Sequence, residues 1–512
     1  YAVAGDLVLP SFSTTKRTAV RAGRDVIAPV LNLQNSDRDP NTGDMSSLIA
    51  GRDLTSQITA GPSGNQIFNV RLGGPGYLEV QAGRNLLVTS NTNPSSNSRG
   101  VGIATIGNAD NILLPRTGAT VGVMAGVGAA GPDNAAFINA YIDPASAHES
   151  PDVVAQYDAD LVAYMVRHNG KIKLDITQEA FDQLSPAQQA VMLAQQALKD
   201  FRALSPIAQA PLIQQVYFAE IRAGGEAVAN GNGSNGRGYD RAYAAIQTLF
   251  PGSVVGGETT AYHGDISLYA NARIRTEAGG DINLLVPGGD IILGFENQVP
   301  NLAGQKDTAR PGLLTLRGGG INTFSDGDVI VAQSRVFTEL GGDIVMWSTN
   351  GDLNAGKGKK TSLVTSPPQF TLDPFAHVTK APSTPQTGAG IAALQGVPGV
   401  KQGDVDLFAP HGTVDASDAS IRASTVTVAA QRVLNADNIF AAKTVGVLTV
   451  PAPPVTALTA ADNSAAAVSK MTDMGKSSDG NQDKASLIIV EVLGYGGSGD
   501  DKSSDDSSEA KH

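Results

Sequence analysis

The sequence predicts an all-β solenoid with a helical insertion: a right-handed parallel β-helix interrupted by an α-helical block. Three observations carry this. Gly-Asp-aliphatic phrases recur at Gly264-Asp265, Gly280-Asp281, Gly289-Asp290, Gly327-Asp328, Gly342-Asp343, Gly351-Asp352 and Gly403-Asp404. Asp265, Asp281 and Asp290 are separated by 16 then 9 residues, and Asp328, Asp343 and Asp352 by 15 then 9, so 264–294 and 327–356 read as two copies of one module. The stretch between 131 and 252 instead has helical spacing and proline-opened helix starts.

The elements follow in order. Residues 1–130 carry Ala22-Gly23-Arg24-Asp25-Val26, Ala50-Gly51-Arg52-Asp53-Leu54 and Ala82-Gly83-Arg84-Asn85-Leu86, each opening an alternating apolar run. Such runs read as short strands with one face buried. In 131–252, helices are expected at 135–141, 153–168, from Thr177, at 187–204, at 207–223 with Gly224-Gly225 as the stop, and at 239–250. Ser185-Pro186 and Ser205-Pro206 pair an N-cap with a first-turn proline. Residues 253–356 hold the duplicated module. There glycine is expected to supply positive φ at corners, and aspartate to bond its own backbone just beyond. An antiparallel sandwich also predicts frequent turns, but not a duplicated rhythm. Residues 357–402 are a proline-rich connection in which Pro367, Pro368, Pro382, Pro385 and Pro398 are expected to forbid central strands. The β pattern returns over 403–450. Residues 451–512 are of low complexity, with a last apolar strand at 487–493 and an acidic tail expected to be disordered.

Composition narrows the function. The 512 residues include 58 Gly, 27 Pro, one Trp and no Cys, with a net charge of −12. Absent cysteine excludes disulfides, thiolate metal sites and cysteine nucleophiles. The acidic balance and the lack of a basic stripe argue against nucleic acid as a partner. No apolar run is long enough for a transmembrane helix. The chain opens at Tyr1 without a signal peptide, which predicts a place inside a longer precursor.

Taken together, the Ala-Gly-Arg-Asp-Val and Gly-Gly-Asp-Ile phrases, the helical insertion, Tyr262-His263-Gly264-Asp265 after it, and the ending Leu487-Ile488-Ile489-Val490-Glu491-Val492-Leu493-Gly494-Tyr495-Gly496 resemble the C-terminal region of filamentous haemagglutinin-type exoproteins. The resemblance spans about residues 20 to 497. It implies a right-handed parallel β-helix and export from a Gram-negative bacterium by two-partner secretion. It also implies a role as surface adhesin, fibre or biofilm matrix component, located outside the cell or on its outer surface. The expected partners are further copies of the chain, end to end or side by side, other extracellular proteins and glycans, and an outer-membrane transporter during export. The family's N-terminal secretion domain is not in this chain, and the family offers no catalytic motif to carry over.

No catalytic, metal or cofactor site is predicted. His148, His168, His263, His377, His411 and His512 form no His-x-x-x-His pair. The tandem Gly-Gly-x-Gly-x-Asp of calcium β-rolls is missing, although stacked corner aspartates would attract a hard cation. Asp265, Asp281 and Asp343 with Arg273, Arg275 and Arg335 are the candidates for a glycan-cleaving site. Their periodic placement at glycine corners argues instead for a structural role. Trp347, in phase with Asp343 and Val345 and opposite Ile344 and Met346, is either an outward surface contact or packs against the 357–400 connection.

Overall fold

The computed structural model describes residues 2–446, except 3, 10, 36–44, 57–67, 90–100, 109–116, 129–130, 147–148, 232–237, 254–260, 270–271, 295–311, 358–368, 373–377, 382–388 and 396–398. The strand at 487–493, the acidic tail, His148, His377 and His512 lie outside the described residues.

The chain winds as a three-faced coil of parallel strands. Face 1 stacks Leu7–Val8, Val26–Ile27, Leu54–Thr55, Leu86–Val88, Ile266–Leu268, Ile291–Ile292, Val329–Ile330 and Leu353–Asn354. Face 2 stacks Phe12–Ser13, Val30–Gln34, Asn69–Gly73, Val101–Gly107, Ala272–Thr276, Leu313–Thr315, Arg335–Glu339 and Gly390–Leu394. Face 3 stacks Ala19–Ala22, Met45–Ala50, Gly76–Ala82, Ala119–Ala125, Ile282–Val286, Ile321–Ser325 and Ile344–Ser348. The long strands Val405–Asp415, Ile421–Leu434 and Ile439–Val445 turn corners and close the described stack. Each strand pairs in parallel with the strand one turn later on its own face. The 16-then-9 rhythm is thereby resolved: 16 residues run from the face 1 corner past face 2 to face 3, and 9 return to face 1.

Alternate side chains point inward and fill the coil with aliphatic ladders, such as Val26, Leu54, Leu86, Ile266, Ile291 and Val329 on face 1, all buried. At ~4.8 Å per turn each inward residue covers its predecessor, so the core needs neither disulfides nor many aromatics.

The helical block leaves after Ala119–Ala125 and returns at Ile266–Leu268. The stack closes across it without a gap: Leu86 pairs with Ile266, Val101 with Ala272 and Val121 with Ile282. The insertion is therefore a looped-out domain on one corner of an unbroken coil. Its helices are α1 (Asn134–Phe137, continued by a π-turn Ile138–Ile142), α2 (Pro151–Asn169), α3 (Gln178–Asp182), α4 (Pro186–Arg202), α5 (Pro206–Ala229) and α6 (Asp240–Leu249). Ser185 and Gln188 form a capping box at the start of α4.

Two expectations are corrected. Helix α5 does not stop at Gly224-Gly225 but runs to Ala229. A Cβ on Gly224 would lie 2.8 Å from that of Ala242, and one on Gly225 would lie 2.4 Å from the Phe408 ring, so these glycines allow close packing and do not end the helix. The 357–402 connection also contributes a central strand, Gly390–Leu394, between Arg335–Glu339 and Ile421–Leu434. The run between Pro385 and Pro398 is free of proline, so it can donate to both neighbours.

Candidate functional site

Face 3 presents two outward rows to the helices. One is apolar and aromatic: Met124, Leu285, Phe324, Trp347, Phe408 and Ala429 occupy one register position on successive turns. The other is mostly polar, broken by Gly122 and Val345: Ser47, Glu79, Gly122, Asn283, Asn322, Val345, Asp406 and Thr427. Helix α5 lies along this face and contacts strands from Met45–Ala50 to Ile421–Leu434. Its 24 residues span ~36 Å at 1.5 Å per residue, about seven turns of the coil.

Trp347 points outward from the coil, opposite Ile344 and Met346, as its phase predicts. It is nevertheless fully buried, which corrects the surface-contact expectation. Tyr239 (5.7 Å), Tyr243 (6.1 Å) and Phe408 (5.9 Å) surround its ring, and its Nε1 donates to Thr349 Oγ1 at 3.0 Å. Its cover includes α6 and the residue just before it. Tyr217, Phe250 and Phe324 extend the same aromatic seam.

The polar row carries a hydrogen-bond relay. Asn322 donates to Asn283 (2.8 Å), Asn283 to Gln214 (3.0 Å), Gln214 to Tyr77 Oη (2.7 Å), and Tyr77 to a Glu79 oxygen (2.5 Å). All four donors point toward Glu79. Gly122 makes room for this: a Cβ there would sit 1.8 Å from Tyr77 Oη. Glu79 is 3% exposed, and burial pushes its carboxyl up to about 7 against the lowering effect of the Tyr77 bond. Two clefts flank α5. One, of about 780 Å³, includes Glu79 and is walled by the start of α5, by α1 and by the first turns of face 3. The other, of about 620 Å³, collects Asp281, Asp343, Arg222, Arg167 and His168. There Arg222 binds Asp343 (2.9 Å), the buried Asp406 (2.7 Å) and Glu226 (3.0 Å).

A raised carboxyl binds its proton more tightly folded than unfolded, so stability is lost as pH rises from the unfolded value of 4.5 through the folded value. Glu79 is expected to lower the unfolding free energy by up to about 3 kcal/mol across that window. The gap between urea midpoints at about pH 5 and about pH 8 should narrow in Glu79→Gln. An unchanged gap would show that Glu79 does not titrate there.

The corner residues form ladders between turns. Asp6, Asp25, Asp53, Asn85, Asp265, Asp290, Asp328 and Asp352 stand in one column, each side chain accepting the backbone N–H at the next turn's corner at 2.7–3.2 Å. On face 3, Asp281 accepts from Gly320 (2.7 Å), Asp343 from Asp404 (2.9 Å) and Asp404 from Thr425 (2.8 Å). The expected bond to the residue's own following backbone is thus replaced by one to the next turn, because stacking places that N–H opposite the carboxylate. Arg24, Arg52 and Arg84 each clasp the aspartate one turn earlier (Asp6, Asp25, Asp53), which explains the Ala-Gly-Arg-Asp phrase. The Arg52 bond holds the Asp25 carboxyl below its usual range.

The corner glycines divide into two kinds. Gly264, Gly280 and Gly342 have positive φ as expected. Gly289, Gly327, Gly351 and Gly403 do not. They are glycine because a Cβ would lie 2.0–2.4 Å from atoms of an adjacent turn.

A third ladder escaped the sequence reading. Thr276 and Thr315, which end face 2 strands, and Thr338, one residue before the end of another, donate to the carbonyls of Gly280, Gly319 and Gly342 at 2.7–2.9 Å. Its signal is a Thr-x-x-x-Gly spacing visible at all three places.

Of the glycan-site candidates, Asp281 and Asp343 reach the smaller cleft, whereas Asp265 lies in the face 1 column and Arg273, Arg275 and Arg335 lie on face 2. His168 stacks on Tyr164 and His411 on Tyr243. Among the described residues no group of three or more His, Cys, Asp or Glu is placed to hold a metal ion, and no helix is long and apolar enough to cross a membrane.

The model of the family described as filamentous haemagglutinin family outer membrane protein matches residues 341–449. That stretch matches a filamentous haemagglutinin-type region. It begins at the Gly341-Gly342-Asp343 corner and takes in the strands from Ile344–Ser348 to Ile439–Val445. A surface or secreted protein of adhesin type is the class this match supports. No curated protein and no solved structure matches the chain.

Proposed function

We propose that this chain is a non-enzymatic structural adhesin or fibre-forming protein, exported by two-partner secretion to the surface or biofilm matrix of a Gram-negative bacterium. The observation that carries the reading is the haemagglutinin-type region at 341–449, which coincides with the last described turns of the coil. The corner carboxylates support it, since Asp265, Asp281 and Asp343 each accept a backbone N–H from the next turn. The helical block, whose α4 exposes Val191, supplies a surface for other copies, extracellular proteins or glycans. An outer-membrane transporter is the partner during export. On intact source cells, externally added protease should remove the protein while cytoplasmic markers survive. Full protection under conditions that digest known surface proteins would sink this reading.

A second reading, a glycan-cleaving β-helix enzyme, is favoured by the cleft that gathers Asp281, Asp343, Arg222 and His168. Incubation with pectin-, alginate- and glucan-type polymers is expected to release no oligosaccharide. Turnover that disappears in Asp343→Asn would establish the enzyme instead.

A further inference from the structure

We propose that the larger cleft beside α5 is a binding site for a small ligand with a primary ammonium group at one end of an apolar chain and a neutral or anionic group at the other. The argument starts from Glu79. Its side chain is buried and lines the cleft. One carboxylate oxygen, Oε2, receives the Tyr77 hydroxyl, and among the described residues the other has no hydrogen-bond partner. A carboxylate has about four acceptor sites, so most of its capacity is unused. The relay cannot fill it, because Tyr77 has a single O–H and every donor behind it is directed up the same chain.

Among the described residues no cation compensates the charge. Burial and the Tyr77 bond are the two influences on the Glu79 carboxyl. Arg21 and Arg202 line the cleft, but both are solvent-exposed, and Arg202 is engaged by Asp143 and Asn139 at 2.7 Å. A buried carboxylate with one donor is costly, and a group bringing both positive charge and several donors removes most of that cost. A primary ammonium has three donors on a compact charge.

The remaining walls define the rest of the ligand. Ile49, Met124, Ile213 and Leu285 offer contact to an apolar chain. The rest of the charged lining is Arg21, Arg202 and Asp133, joined by the N-terminus of α5, where Ser205 makes no side-chain cap. A second ammonium is repelled at that end, and a carboxylate or neutral group is accepted. The volume of about 780 Å³ falls within the range of small-molecule sites.

The test is isothermal titration of the full chain with 6-aminohexanoate at about pH 8, where a carboxyl of this kind is ionised. Hexanoate serves as the probe lacking nitrogen. Saturable binding of 6-aminohexanoate is expected, with hexanoate at least about tenfold weaker. Glu79→Gln should weaken binding by about tenfold or more. Ile207→Trp narrows the cleft from the helical wall while leaving Glu79 in place, and it should weaken binding as well. No binding to the wild type, equal affinity for hexanoate, or unchanged affinity in Glu79→Gln would overturn the proposal. If Glu79→Gln fails to fold, the Ile207→Trp chain decides, and undiminished binding there overturns it.

Discussion

Valine in place of Gly342 is expected to cost about 4 kcal/mol, and valine at Gly280 a similar amount. Two penalties combine at each site. The backbone sits at φ +96° for Gly342 and +92° for Gly280, where a β-branched residue is strained. A Cβ would also lie 2.0 Å from Gly319 O or 2.4 Å from Ala119 O, which are backbone atoms of the preceding turn held by the ladder itself. The preceding glycines separate the two effects. Gly279 and Gly341 have φ +89° and +86°, but the nearest atom to a Cβ is 3.5 Å away. Alanine at Gly279 or Gly341 should therefore cost only about 1–2 kcal/mol. Urea midpoints of the four variants measure this. Equal losses at Gly279 and Gly280 would mean that the adjacent turn does not constrain the corner.

Trp347→Ala is expected to cost about 4 kcal/mol, as for other fully buried aromatics. The ring is in contact with Tyr239, Tyr243 and Phe408, two of which approach edge-on, and all three would face a cavity. Trp347 is also the only tryptophan in the chain, so its fluorescence reports on the seam between coil and helices. Native emission should be blue-shifted and resistant to acrylamide. A red-shifted, readily quenched native spectrum would contradict the burial on which the predicted cost rests. If the helices detach before the coil unfolds, emission should move to the red before the β signal is lost.

Much of the coil was legible because its rules are local. A glycine that must leave space, an aspartate beside it and an aliphatic residue after it recur wherever the backbone turns the same corner. The Thr-x-x-x-Gly spacing was equally legible but is easily passed over, since threonine within a strand already has a sufficient explanation in its β propensity. Gly224-Gly225 misled for a related reason. A glycine pair after a helical run has the form of a stop, and only the approach of Phe408 and Ala242 shows that these two are there for packing.

The candidate site was not legible. Glu79, Tyr77, Gln214, Asn283 and Asn322 come from four strands or helices that are far apart in the chain, and no local phrase marks them. Trp347 shows where the division falls. Its phase along the strand says that it points away from the coil, and the structure agrees. Whether away from the coil means solvent depends on what lies over face 3, which residue spacing does not record.

The sequence by itself determined the strand pattern, the place of the insertion and the resemblance that the family match supports over residues 341–449, because each depends on neighbours within a few residues. Tertiary structure alone decided which turn each aspartate serves, that α5 covers face 3 from one end of the insertion's footprint to the other, and that Glu79 is buried beside a cleft. Those depend on which turns stack and on what a looped-out domain folds back upon, and both are contacts between residues tens to hundreds of positions apart.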